Sequence, residues 1–430
     1  MTTRADLTGK KQGRRGPNLA DAEQLRQLLF PMVVGIAATR SELGAFVQRA
    51  GLTALEAILR DDAEAIAGPK GRHQAERTHH HWGTTRTELP LGGRRVAVTR
   101  PRVRRRNGHE EVLPTLARLR GTDPLPDRVV DQILAGVSTR GYERSLEPTP
   151  PDVQARGASK SAVSRHIVTR TAAKVKEYMN RPLDELKLVA LLLDGINIGE
   201  HTVVVALGVG HDGTKTPLGI WLGSTENARV CTELLGNLTS RGLKVEERIL
   251  CVIDGGKGIR KALVDVFGKL ALIQRCQVHK TRNVRDHLSK DRQLRVGRLM
   301  NDAYRSTKAD TARRRLRSLV SWLENNGEEG AAASLREGLE ETLTVMKLGL
   351  PPTLARSFST TNAIENMLGT VRRVTRNVKR WSGGDMARRW TALGVLHAKE
   401  SFRRIKGHKD LPVLVRALAT TTVDQGEISA

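Results

Sequence analysis

The chain has 430 residues, with 72 Lys and Arg against 46 Asp and Glu, for a formal net charge of +26. That length suits two or three domains with a sizeable core, and so large a positive excess favours a polyanionic partner, nucleic acid above all. An aromatic content of 3 % argues against a single-strand binder built on stacked rings and for contacts to duplex phosphate. Cys231, Cys251 and Cys276 make no disulfide framework, which implies a reducing cytoplasm. The polar N-terminus has no signal-peptide core, and the apolar run Leu28 to Ala38 is too short to span a bilayer and contains Pro31, so no membrane partner is expected.

In chain order, residues 1–20 are basic and Gly-rich and read as a disordered tail. Residues 21–125 read as a mainly helical region, with Leu25, Leu28 and Leu29, then Leu52, Leu55 and Leu59, at helical spacing. Gly68 to Trp82 is polar and reads as a surface loop. Its His73, His79, His80 and His81 have no cysteine near them, and Glu76 gives no recognisable ligand spacing. Val96, Val98 and Val103 alternate around Pro101 before Asn107-Gly108, which predicts a small β-hairpin at about 88–115. Arg100, Arg102, Arg104, Arg105 and Arg106 make that hairpin a candidate phosphate-binding arm, with a merely solvated basic face as the alternative.

Residues 126–180 suggest a helix-turn-helix-like DNA-binding domain. A short helix from Asp127 to Ala135 leads to a Gly136–Ser138 turn, and Ser138 can cap a helix from Thr139 to Leu146. After Pro148, Pro150 and Pro151, Ser159 or Ser161 can cap a long helix with Val163, Ile167 and Val175 on its apolar side. Lys160, Ser164, Arg165 and Thr169 would then face a major groove, unless the segment is an ordinary pair of core helices.

Beyond Arg181-Pro182 the pattern turns to mixed α/β over residues 185–281. Strands are expected at 188–194, 201–209 and 216–222, a helix at 226–241, a strand at 248–255, a helix, and a strand at 271–279. Two of the strands, LVALLLD and RILCVID, end in an acid followed by glycine: Asp194 and Asp254. Carboxylates at strand ends can project into one crevice and there hold two divalent ions about 4 Å apart, the arrangement of a phosphoryl-transfer site. Oxygen ligands suit Mg²⁺ or Mn²⁺. Strand-end Asp also simply caps turns, so a third carboxylate is needed.

Residues 282–355 are helical, highly charged and without strand pattern, an all-α insertion closed by Pro351-Pro352. In STTNAIENMLGTVRR, Thr360 or Thr361 caps a helix whose apolar face is Ile364, Met367, Leu368 and Val371. Glu365 lies in its first turn, and Arg372, followed by Arg373, is two turns further along on the same side, suited to holding a phosphate. Glu324, Glu340 and Glu341 are competitors, but sit in helices crowded with charge. Residues 356–412 would complete the core with a C-terminal helix holding Trp390, Leu393 and Phe402, leaving 413–430 as a tail.

LLLDG, VIDGGKGIRKAL, the CQVH of Cys276 and His279, and STTNAIENMLGTVRR, in this order, resemble a Mutator-type transposase of bacterial insertion sequences. The resemblance runs from about residue 20 to about residue 410. It implies a ribonuclease-H-like core interrupted by the all-α insertion, with Asp194, Asp254 and Glu365 as an Asp-Asp-Glu triad on two Mg²⁺ or Mn²⁺ ions. Cys276 and His279 fall on the family's Cys-x-x-His signature; two residues cannot complete a tetrahedral zinc site, and a packed cysteine beside a histidine that contacts DNA or orients the active site is the favoured role. The implied activity is binding of terminal inverted repeats, Mg²⁺-dependent hydrolysis at the element's ends and transfer of the 3′-OH to target DNA. The chain would act in the cytoplasm, associated with the nucleoid, as a homodimer or higher assembly on double-stranded DNA. The alternatives are a nuclease of the same fold without strand transfer and a non-catalytic, domesticated DNA-binding relative.

Overall fold

The structure is a computed structural model that describes residues 40–72, 77–121, 125–223 and 227–420. The expectations for the basic tail, for Leu25, Leu28 and Leu29, and for His73 lie outside the described residues. Two compact units emerge, one reaching to Gln132 and including Thr139–Ile167, the other made of Ile133–Ser138 and the chain from Val168 onward.

In the first unit a long helix α1 (Arg40–Ala67) packs on an antiparallel hairpin of β1 (His79–Leu91) and β2 (Arg94–Arg105). The hairpin is larger than expected. Leu91 lies opposite Arg94, so Gly92-Gly93 alone form the turn, with φ of +60° and +82°. Two successive positive φ values are what a type I′ hairpin turn requires, and glycine adopts them without steric cost. His79, His80 and His81 therefore belong to a strand and not to a loop. The register of the pair shifts between His81 and Thr84, which bulges out Trp82 and Gly83. The sequence hid β1 because its only fully inward residue is Leu89, whereas Val96, Val98 and Val103 of β2 carry the visible alternation.

Asn107-Gly108 turns the chain into the two-residue β3 (Glu110–Glu111), as its sequence suggests, followed by α2 (Pro114–Gly121). Leu59 and Ala63 from α1, Leu89 and the three valines from the sheet, and Leu113 and Leu116 close this core. The helix-turn-helix pattern takes a modified form. After α3 (Leu125–Leu134), α4 (Tyr142–Ser145) is a single turn that starts at Gly141. The loop that follows contributes β4 (Ala155–Arg156) to the sheet beside β2. Ser159 then accepts from the Ala162 N–H at 3.4 Å, capping α5 (Lys160–Asn180). Tyr142 is fully buried and its hydroxyl donates to the Gly93 carbonyl at 2.8 Å, fixing the hairpin turn. Tyr142→Phe leaves that carbonyl without its donor and is expected to cost about 1–2 kcal/mol. Urea denaturation measures the loss; an unchanged midpoint contradicts the assignment.

The second unit holds a five-stranded sheet in the order β7-β6-β5-β8-β9. β5 (Leu188–Ile198), β6 (His201–Gly210) and β7 (Lys215–Gly223) are antiparallel neighbours, whereas β8 (Ile249–Ile253) and β9 (Ala271–Arg275) run parallel to β5. The parallel pairs need crossovers. They are α6 (Ala228–Ser240) and α7 (Lys257–Phe267).

Helices cover both faces of this sheet, which is why LVALLL in β5 is a continuous apolar run and not an alternating one. Leu191, Leu193, Cys251 and Ile253 pack under α6 and α7. Ala190, Leu192, Leu250 and Val252 face the other way, against α14 (Asn362–Thr375), α15 (Gly384–Glu400) and α16 (Leu411–Thr420). Trp390 and Leu393 of α15 are buried, and Phe402 packs partly buried against the same core. The expected tail from 413 is corrected over its first residues. Leu411, Leu414 and Leu418 recur at helical spacing and bury one face of α16 in this core.

Between β9 and α14 the chain forms helices only: α8 (Gln277–Asp286), α9 (Lys290–Tyr304), α10 (Ala309–Asn325), α11 (Glu329–Arg336), a 3₁₀ turn (Glu340–Leu343), α12 (Thr344–Lys347) and α13 (Pro352–Phe358). Most of them share a core of their own, including Val284, Met300, Leu316, Leu323 and Leu335. No helix among the described residues is long and apolar enough to cross a membrane.

Candidate active site

The sheet register sets the site. Leu193 of β5 pairs with Ile253 of β8, and both side chains point under α6 and α7. Because successive strand side chains alternate, Asp194 is turned to the α14 side. Asp254, one residue beyond Ile253, begins the turn into α7. Each carboxylate accepts one nearby backbone N–H: Asp194 Oδ1 from Gly195 at 2.8 Å, and Asp254 Oδ1 from Gly256 at 2.8 Å. Gly255 between the last pair has φ of +115°, a conformation that L side chains rarely adopt.

Burial pushes the Asp194 carboxyl up to about 6, and the charges of Asp254 and, more weakly, Glu365 push in the same direction. The Gly195 hydrogen bond and the charge of His279 oppose the rise. Asp194 is thus within electrostatic reach of both Asp254 and Glu365, which lie far from it in sequence. No Lys or Arg makes an ion pair with Asp194 or Asp254 among the described residues.

The competing acids stand differently. Glu341 pairs with Arg260 and Arg275, Glu340 with Arg313, Arg317 and Lys347, and Glu324 with Arg336. Their charge is already balanced. A half-buried acid that feels two other acids and has no Lys or Arg partner is a poor structural element and a good oxygen donor for a hard divalent cation. The residues therefore fit Mg²⁺ or Mn²⁺.

Glu365 sits in the first turn of α14, where the helix dipole favours an anion. Thr361, at the N-cap, does not cap the backbone with its side chain. Its hydroxyl instead donates to Glu365 Oε1 at 2.6 Å and lies 3.3 Å from His279 Nδ1, and that nitrogen is 3.6 Å from Glu365 Oε1. Sequence alone marks Thr361 as a cap; its role as a carboxylate holder depends on α8 arriving alongside.

Cys276 and His279 are not in a strand, as 271–279 had suggested, because β9 ends at Arg275. Cys276 is the N-cap of α8 and its sulfur accepts from the His279 N–H at 3.5 Å. The Gln277 N–H donates to the Ser359 carbonyl, which ties this helix start to the start of α14. Burial raises the Cys276 thiol, but hydrogen bonds with His279 and Thr361 outweigh it and leave the group below its ordinary value. The hydrogen bond to Cys276 in turn holds His279 above its own. Among the described residues the one close set of unlike metal-ligating atoms is Cys276, His279 and Glu365, all within 4.8 Å of one another.

The candidate DNA contacts are dispersed. Arg372 and Arg373 are exposed on α14, and Lys160, Ser164, Arg165 and Thr169 are exposed on α5. In the first unit, however, much of the arginine arm is neutralised. Arg100 and Arg102 pair with Glu110, and Arg105 with Glu111, because β3 lies beside β2. Arg104 lies over the exposed Trp82 ring at 4.5 Å. Sequence spacing did not reveal this pairing, and it leaves the arm less free for phosphate than its composition suggests.

Residues 36–404 match the sequence model of a family described as "Transposase, Mutator family". The chain belongs to the Mutator family of transposases. It is 27 % identical over 331 residues to a probable transposase for an ISRM3-like insertion sequence element of Sinorhizobium fredii, covering 75 % of this chain and 79 % of the relative. The ISRM3 transposase of Rhizobium meliloti is also 27 % identical, with the same coverage. The IS256 transposase of transposon Tn4001 from Staphylococcus aureus is 27 % identical over 63 % of this chain and 69 % of the relative. The transposase is a DNA enzyme of insertion sequences, and the residues matched by the family take in Asp194, Asp254, Cys276, His279 and Glu365.

Proposed function

We propose that this transposase binds the terminal inverted repeats of its own element, cuts the DNA at their ends and joins the freed 3′-OH to target DNA, using Asp194, Asp254 and Glu365 as its metal-holding triad. The observation that carries the reading is the placement of Asp194 within β5 and of Asp254 one residue past the end of the neighbouring β8, with Asp194 in electrostatic reach of Asp254 and Glu365 and neither aspartate paired with a Lys or Arg. The strand order, with three antiparallel strands followed by two parallel ones, supports a ribonuclease-H-like core that the helices between β9 and α14 interrupt.

Asp194, Asp254 and Glu365 would hold a pair of Mg²⁺ ions, which when bound would supply Lewis-acid chemistry at the phosphodiester. The chain's own residues do the rest. Thr361 and His279 keep the Glu365 carboxylate beside the start of α8. Arg372 and Arg373 grip the phosphates that flank the cut. Lys160, Ser164, Arg165 and Thr169 hold the repeat, with a smaller share for the Arg102, Arg104, Arg105 and Arg106 arm, because Glu110 and Glu111 pair with Arg102 and Arg105. Two ends must be brought together, so the working unit is a dimer or larger assembly.

The test is an incubation of the full chain with a duplex carrying the element's terminal repeat, a target plasmid and Mg²⁺. Cleavage at the repeat end followed by joined product is expected. Cleavage of a precut or uncut end without any joining would reduce the protein to a nuclease, and binding without cleavage would remove the catalytic reading.

A further inference from the structure

The Cys276–His279–Glu365 group is unlike the acid trio with which it has Glu365 in common. A thiol, an imidazole and a carboxylate are the donors of a borderline-soft ion, not of Mg²⁺. Tetrahedral zinc, with bonds of about 2.0–2.3 Å, sets its ligand atoms roughly 3.3–3.8 Å apart. His279 Nδ1 and Glu365 Oε1 are already 3.6 Å apart, and the sulfur lies within 4.8 Å of both. The backbone is set to hold them, since the starts of α8 and α14 are joined through Gln277 and Ser359. The Cys276 side is sealed, whereas the His279 and Glu365 side chains are 23 % and 39 % exposed.

We propose that Cys276, His279 and Glu365 form a second metal site, selective for Zn²⁺, that shares Glu365 with the acid trio. Binding replaces the thiol proton, which passes to solvent, by a Zn–S bond. Neutral His279 gives the Nδ1 lone pair, Glu365 gives one oxygen, and water fills the fourth position. No oxidant or reductant is involved. A single carboxylate cannot serve both sets, so a zinc-loaded chain has its third acid withdrawn from Asp194 and Asp254. Zinc therefore arrests the Mg²⁺-dependent reaction; this consequence rests on the triad reading, whereas the binding itself does not.

The experiment titrates the metal-free full chain with Co²⁺ and then Zn²⁺. A thiolate-to-cobalt absorption band in the near ultraviolet is expected, one equivalent per chain, bleached by one equivalent of Zn²⁺. The other two cysteines are buried in the sheet core, so the band reports Cys276. It should vanish in Cys276→Ala and weaken at least tenfold in affinity in His279→Ala and Glu365→Gln. It should persist in an Asp194→Asn, Asp254→Asn double variant. Circular dichroism melts confirm that each variant is folded, and Cys276→Ser serves if the alanine variant is not. A missing band in the folded wild-type chain, or one that depends on Asp194 and Asp254, overturns the site. If the triad reading alone fails, DNA cleavage is absent without zinc while the band remains.

Discussion

Asp194→Asn, Asp254→Asn and Glu365→Gln each lower Mg²⁺-dependent cleavage of a terminal-repeat duplex by about a thousandfold or more. Metal-assisted charge stabilisation is worth several kcal/mol, and each 1.36 kcal/mol is a factor of ten in rate. The substitutions are nearly isosteric, and Asn keeps the oxygen that accepts from Gly195 or Gly256, so the fold should not suffer. What is lost is one negative oxygen donor of a trio that no Lys or Arg neutralises. Binding of the repeat should stay within about threefold, because phosphate contacts from basic residues elsewhere supply that affinity. Gel shifts beside the cleavage assay separate the two. Arg372→Ala should do the reverse in kind, weakening cleavage with a salt-dependent loss of grip. Equal loss of cleavage on substituting Glu340 or Glu341 would point to a different third acid.

The second large effect has the opposite sign. Asp194→Asn should stabilise the metal-free protein at neutral pH while killing activity. The ordinary aspartate value is 3.8 and the folded chain holds Asp194 at about 6, through burial first and then the charge of Asp254. Between those limits the folded state binds more protons than the unfolded one, so stability falls as pH rises. Below the window both states are protonated and no penalty exists; above about 6 the penalty is complete. A shift of this size in a partly open site is worth on the order of 2 kcal/mol. For a unit of this length that moves the melting temperature by about 5 °C. The wild type and Asp194→Asn should therefore melt together near pH 4 and diverge towards pH 7. Added Mg²⁺ should close the gap by raising the wild type alone, since a ligand that binds only the native state stabilises it by mass action. Parallel pH curves for the two proteins would show that Asp194 carries no such burden.

These two effects depend on parts of the chain that sequence revealed to different degrees. The β5 and β8 strands were legible because helices cover both sheet faces, which forces uninterrupted apolar runs, but β5 does not end at Asp194 as expected: it continues to Ile198, so the acid lies inside the strand. Glu365 was legible through the apolar stripe of α14 that its helix lays on the sheet. The Leu193–Ile253 register that places Asp194 beside Asp254 is a long-range pairing with no local signature. The same holds for Thr361, whose hydroxyl looks like a cap until α8 brings His279 beside it. The long hairpin was missed where its inward face is carried by one strand, and the C-terminal helix because Pro412 stands in its first turn between Leu411 and Leu414. The neutralised arginines show why composition misleads: only the β2–β3 pairing reveals that Glu110 and Glu111 answer Arg100, Arg102 and Arg105.

The most direct measurement is anomalous scattering from a crystal of the full chain grown or soaked with Mn²⁺ together with repeat DNA. The account predicts density for the ions between Asp194, Asp254 and Glu365, with oxygens of all three as ligands. Ions bound elsewhere, with no oxygen of Asp194, Asp254 or Glu365 among their ligands, would contradict it.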